Sequence, residues 1–170
     1  LKHHTETLEV PRRMVTDEEA EQARAEIERL AAEDAPATSG TSSFLRRNRQ
    51  VLSRYEEQKT QPNHPVELHV LRLGDVALAT NPFELFLDFG LRIKARSGPV
   101  QLFLTQITCG YDGYLPTAKA VTARLHAQDR AKKGFSGNYG AGVASNRVGP
   151  EGGQVLVDRT VACVAELFAD

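Results

Sequence analysis

The sequence predicts an α/β chain, with α+β as the other arrangement it allows: a layered sheet flanked by helices. Three observations predict it. Helical periodicity fills much of residues 16–58, paired apolar runs of strand length begin at Val66, and a further apolar run near Val100 is enclosed by helical segments. The order reads helix, helix, hairpin, helix, strand, helix. The 170 residues, 41% hydrophobic and 25% charged, suit a single domain with its own core.

Residues 1–15 read as an extended lead-in, with His3-His4 as the tail of a strand or loop. Thr16-Asp17-Glu18-Glu19 has the spacing of a capping box, in which Thr16 accepts from the Glu19 amide and the Glu19 side chain reaches back. Ala20, Ala23, Ile27, Leu30 and Ala31 continue it as a narrow apolar stripe, and Pro36 ends the helix near Ala35. Residues 36–43 are small and polar and read as a loop. A second helix is expected from Ser43 to about Gln58. Its arginines, Arg46, Arg47, Arg49 and Arg54, fit a solvated face, or a docking surface for another part of the protein or for an anion.

Val66–Leu73 and Val76–Thr80, joined by Gly74-Asp75, predict a β-hairpin. After Asn81-Pro82-Phe83-Glu84 a helix is expected to about Ser97, apolar nearly all round in its first turns and therefore well buried. Pro99–Thr108 reads as a central strand buried on both faces. A loop at 109–117, a helix at 117–132 and a Gly-rich stretch at 134–153 follow. A last helix uses Leu156, Thr160, Cys163, Val164 and Leu167, with Pro150 in its first turn. Cys109 and Cys163 match no zinc-ribbon or CxxC spacing; a disulfide between them is the less favoured alternative, and Cys163 fits a buried free thiol.

Lys plus Arg number 21 against 22 Asp plus Glu, a balance that gives no footprint for nucleic acid or an anionic membrane. No apolar run approaches the ~20 residues of a transmembrane span. The chain opens on Leu1 without a signal-peptide pattern, which reads as a truncated or processed chain.

Three segments interrupt regular structure beside strands. In the first, Glu84 has two readings: a carboxylate favoured by the dipole of the following helix, or a metal ligand or base at a strand end. In the second, Gly110-Tyr111-Asp112-Gly113-Tyr114, the tyrosines either pack or act. The third, from Asn138-Tyr139-Gly140-Ala141 to Gly149-Pro150-Glu151-Gly152-Gly153, is a Gly-rich loop before a helix that could cradle an anion but lacks the lysine and spacing of a Walker loop.

The order and separation of these segments resemble the neutral/alkaline, non-lysosomal ceramidase family, in particular bacterial ceramidase-like proteins, from about Val66 onward. The Pro-x-Glu pattern falls on Pro82-Phe83-Glu84. The tyrosine pair followed by threonine falls on Tyr111, Tyr114 and Thr117, and the later Tyr and Gly-Pro fall on Tyr139 and Gly149-Pro150. The resemblance implies the C-terminal part of a larger zinc-dependent amide hydrolase acting on an N-acyl amide or ceramide-like lipid. It implies Glu84 and Tyr114 as zinc ligands and Tyr139 as an oxyanion donor. Two histidine ligands and a serine would come from the N-terminal part of the same protein, and the setting would be secreted or periplasmic. His3, His4, His64, His69 and His126 lie in no matching motif, and His69 is expected only to pack or be exposed. The helix after Glu84, the 116–134 segment and Glu151 in place of a histidine depart from the family and bear on ceramide as the substrate. Two ligands fall short of the three or four of a zinc site, so the chain alone is expected to bind zinc poorly and to be inactive. The alternatives are a partner- or lipid-binding module of the same fold, or a hydrolase of another bond.

Overall fold

The computed structural model describes residues 1–33, 38–123 and 139–169. The helix end near Ala35 and Pro36, His126, and the parts of the 117–132 helix and the Gly-rich stretch that fall at 124–138 lie outside the described residues.

The fold is α/β. Strands β1 (Lys2–Pro11), β2 (Asn63–Leu73), β3 (Val76–Thr80) and β5 (Gln101–Thr105) form one mixed sheet in the order β1-β2-β3-β5. The β1-β2 and β2-β3 pairs are antiparallel, and β3-β5 is parallel. A parallel neighbour needs a crossover, and helix α3 (Leu87–Arg96) lies in the connection. Strands β4 (Glu84–Leu85) and β6 (Tyr114–Leu115) form a separate parallel ladder of two residues each.

One sheet face is covered by α3 and the C-terminal helix α4 (Pro150–Phe168). Alternation along the strands aims Leu8, Val10, Val66, Leu68 and Val70 at the buried Leu156, Val157, Cys163 and Val164 of α4. The opposite face carries the exposed or half-buried His3, Thr5, Glu67, His69 and Phe103. Helices α1 (Asp17–Ala32) and α2 (Ser39–Glu57) pack on each other around Val15, Ala20, Ala23 and Val51, a smaller second core that Val143 also joins.

Both arms of the capping box form at Thr16 and Glu19. The hairpin has its expected turn, with Gly74 at φ 62°, and Pro150 opens α4. Cys163 is a buried free thiol whose Sγ donates to Glu6 Oε1 at 3.1 Å. Burial first, then that carboxylate, push the thiol up to about 12.

Four expectations are corrected. The lead-in is a full strand, β1, paired with β2 along its whole length from Lys2 to Pro11. Helix α2 starts at Ser39 rather than Ser43, because Thr38 caps it by accepting from the Thr41 amide at 3.1 Å. Helix α3 begins at Leu87 and buries Phe89 and Ile93, while Leu87 and Leu91 stay exposed. It is amphipathic, and the buried Phe83 belongs to the turn before it. Strand β5 is a sheet edge rather than a central strand: Leu102 is buried, but Phe103 is 53% exposed.

Candidate functional site

The turn after β3 is fixed locally. Buried Asn81 accepts from the Phe83 amide through Oδ1 at 3.1 Å, an Asx turn that reverses the chain at Pro82. The chain then runs as β4, where the Glu84 amide donates to Gly113 O at 2.9 Å and the Phe86 amide to Leu115 O at 3.2 Å. Glu84 and Tyr114 are therefore direct partners across the β4-β6 ladder. This overturns the helix-dipole reading of Glu84, which lies in a strand three residues before α3 begins.

Gly113 makes the approach possible. Its φ is 78°, and a Cβ there would sit 2.5 Å from Ser145 O. Gly140 lies against the Tyr114 ring, where a Cβ would come within 2.9 Å of two ring atoms. Just upstream of Tyr111, Ile107 and Cys109 take φ values of 53° and 61°, a left-handed conformation that costs a non-glycine residue on the order of 1 kcal/mol or more.

The carboxylate and the phenols converge. Tyr111 Oη donates to Glu84 Oε1 at 2.9 Å. The rings of Tyr114 and Tyr139 meet edge to face at 5.7 Å between centroids, and Phe86 packs edge-on against Tyr114. Hydrogen bonding to the Glu84 carboxylate, with burial and its charge adding, raises both the Tyr111 and the Tyr114 phenol above the ordinary value. Glu84→Gln is accordingly expected to lower both phenol pKa values, since a neutral amide no longer opposes the phenolate. Alkaline titration followed at the phenolate absorbance checks this, and an unshifted curve would separate Glu84 from the tyrosines.

Tyr111, Tyr114 and Tyr139 line a cleft of about 380 Å³, whose other walls come from α2, the 144–147 segment, Asp112, Gly113 and Arg12. Glu84 stands behind the tyrosines rather than among the lining residues. The Tyr139 hydroxyl accepts from Arg47 Nη2 at 2.7 Å, and the guanidinium also sits 5.4 Å from the Tyr139 ring centroid. Buried Asn146 holds the Tyr139 turn by donating from Nδ2 to Gly140 O and Gly142 O. Asp112 faces Arg147 and His64: Arg147 Nη1 is 3.6 Å from Oδ1, and buried His64 Nε2 is 3.0 Å from Oδ2 but not aligned as a hydrogen bond.

Glu84, Tyr114 and Tyr139 are thus brought to one place, with Tyr111 as the link between the carboxylate and the cleft. Sequence reasoning missed the depth of the arginine contribution. Arg47 and Arg54 are seven positions apart, two helical turns, and share one face of α2; Arg49 falls elsewhere and does not line the cleft.

Among the described residues, metal-ligand types also gather at Glu67, His69 and Cys109, and at His4, Cys163 and Glu166. These donors are engaged with neighbours. His69 bonds Glu67 through Nε2 at 2.6 Å and His3 through Nδ1 at 2.9 Å, more than the packing or exposure expected of it. Glu6, beside His4 and Cys163, is bonded to Arg159. Among the described residues no helix is long and apolar enough to cross a membrane.

Comparisons with family models, with curated proteins and with solved structures give no match for this chain.

Proposed function

We propose that this chain forms part of a zinc-dependent amide hydrolase for N-acyl amides, as its resemblance to neutral ceramidases implies. Glu84 and Tyr114 would be two of the ligands and Tyr139 the oxyanion donor. The observation that carries this reading is the pairing of Glu84 with Tyr114 across the β4-β6 ladder, beside a cleft that Tyr139 also lines. Had the two lain on opposite faces, only the motif likeness would remain.

The donor set suits the metal. A carboxylate and a phenol are oxygen donors that a divalent cation accepts, and the cation would favour the ionised phenol that Glu84 alone disfavours. Zinc, when bound, supplies Lewis acidity toward an amide carbonyl and acidifies a water. The remaining steps belong to residues of this chain. The Tyr139 hydroxyl takes a hydrogen bond from Arg47, which leaves its own proton to be donated to the oxygen of a tetrahedral species. Tyr111, bonded to Glu84 Oε1, fixes the carboxylate's orientation. A second cleft of about 330 Å³ shares Arg47 and Tyr139 with the first and adds Phe44 and Val143, an apolar wall of the kind an acyl chain uses.

The other two ligands would be histidines of a preceding segment. Among the described residues no histidine lines the cleft. The 170-residue chain by itself is therefore expected to take up zinc weakly at this site and to hydrolyse no amide. The test pairs it with the longer protein that carries that segment, on a panel of N-acyl amides and matching esters, with and without a chelator. Chelator-sensitive amide cleavage by the longer protein supports the reading. Ester cleavage alone would move the function to another bond, and no cleavage would favour a binding module.

A further inference from the structure

The cleft beside the tyrosines carries a charge imbalance that amide hydrolysis does not require. Among the described residues its lining includes Arg12, Arg46, Arg47, Arg54 and Arg147 against two carboxylates, Glu57 and Asp112. Both carboxylates are already committed. Glu57 pairs with Arg12 at 3.3 Å and accepts from Ser53 Oγ at 2.7 Å. Asp112 stands between His64 and Arg147.

Among the described residues, Arg46, Arg47 and Arg54 have no carboxylate partner. Arg46 is exposed and has no hydrogen bond or ion pair among the described residues. Among the described residues Arg47 bonds the Tyr139 hydroxyl and no carboxylate. Arg54 donates to two backbone carbonyls, Val143 O at 2.6 Å and Arg13 O at 3.2 Å, which fix its guanidinium without neutralising it. Burial, with Arg13 and Arg147 nearby, brings Arg54 down to about 10. The acid that acts on it, Glu19, is held by Arg13 at 2.6 Å. Like charges gathered in a concave, partly desolvated wall repel one another, and an anion relieves that repulsion while accepting their fork-like donors.

We propose that the cleft binds an oxyanion on Arg46, Arg47 and Arg54, and that the substrate of the neighbouring tyrosine site carries this anionic group, a phosphate or a carboxylate, within the span of the cleft. The assignment of the anion to a substrate rests on the hydrolase reading; the anion site itself does not. The same guanidinium, Arg47, touches both the anion site and the oxyanion donor Tyr139, so a seated anion would also hold Tyr139 in place. A neutral amide would leave these cations uncompensated, so the preferred amides are anionic ones.

The test uses the 170-residue chain without metal. Inorganic phosphate and acetate are titrated separately at constant ionic strength, with amide chemical shifts of residues 44–54 and 139–147 as the readout. Saturable shifts that map to these two segments are expected. Arg46→Ala and Arg47→Ala should each weaken the anion about tenfold, the loss typical of one charge-assisted contact. Arg49→Ala, on the same helix but outside the cleft, should leave affinity unchanged. A thermal midpoint measured without added anion confirms that each variant is folded. Phosphate binding at least about tenfold tighter than acetate assigns the group to a phosphate, since the dianion meets more guanidinium donors; equal or tighter acetate binding assigns it to a carboxylate. Shifts that do not saturate, or an equal loss in Arg49→Ala, would overturn the site. Anion binding is read here without metal or amide, so a failure of the hydrolase reading leaves this result standing and the two failures are distinguishable.

Discussion

Glu84→Gln is expected to lower amide hydrolysis by the longer protein proposed to carry the two histidines by at least about a hundredfold while leaving its folding unchanged. The exchange keeps the shape of the side chain. It also keeps an acceptor for Tyr111, whose hydroxyl donates to Glu84 Oε1, so the local geometry should survive. What disappears is the negative charge beside Tyr114, and with it one proposed anionic ligand. A hundredfold loss corresponds to about 2.7 kcal/mol of transition-state stabilisation. Tyr114→Phe should match it, because it removes the partner oxygen on the same ladder. Tyr139→Phe removes a single donor and should cost about 10²–10³ in kcat with KM little changed. Tyr111→Phe should cost much less, since its contact with Glu84 only orients the carboxylate. Wild-type turnover in Glu84→Gln, measured with zinc in excess, would remove Glu84 from the chemistry.

The largest expected change in stability lies on the far side of the sheet core, at Phe89 and Gly153. Phe89 is 2% exposed, and α4 passes so close that a Cβ at position 153 would lie 2.5 Å from Phe89 Cζ and 2.8 Å from Cε1. Phe89→Ala should cost about 3–5 kcal/mol, the range for emptying an aromatic site in a packed core. Gly153→Ala alone should be destabilising by about 1–3 kcal/mol, because the buried ring has no room to yield. In the Phe89→Ala background the same exchange should reverse sign. The new methyl then enters vacated space, and alanine is favoured over glycine inside a helix by about 1 kcal/mol. Urea midpoints of the four proteins in this cycle decide the matter, with Phe89→Leu replacing Phe89→Ala if the latter does not fold. Additive effects would mean that α3 and α4 move apart freely and that the contact is not tight.

The features legible in the sequence are those whose cause is local. The capping box at Thr16 and Glu19, the glycine turn at Gly74 and the proline at the start of α4 each follow from a few neighbouring residues. Strand β1 was not legible, because Lys2–Thr7 is polar throughout and only Leu8 and Val10 bear a core-facing signal; its pairing with β2 depends on residues some sixty positions away. Strand β5 looked central because Leu102, Phe103 and Leu104 are all apolar, yet an edge position leaves Phe103 exposed. Glu84 beside an apolar helix suggested a dipole contact, while the backbone bonds of β4 to Gly113 and Leu115 carry it into a ladder instead. The arginines of α2 were visible as a cluster. What they face was not, since Arg47 meets Tyr139 across 92 positions and Arg54 meets Val143 across 89.

Crystals of the longer protein proposed to carry the two histidines, soaked with zinc and with anomalous differences recorded at the zinc edge, give the most direct test. A peak within about 2.2 Å of a Glu84 carboxylate oxygen and of Tyr114 Oη is the expected result, and it should vanish in Glu84→Ala. A fully occupied peak at Glu67, His69 and Cys109, with none beside Glu84 and Tyr114, would contradict the account.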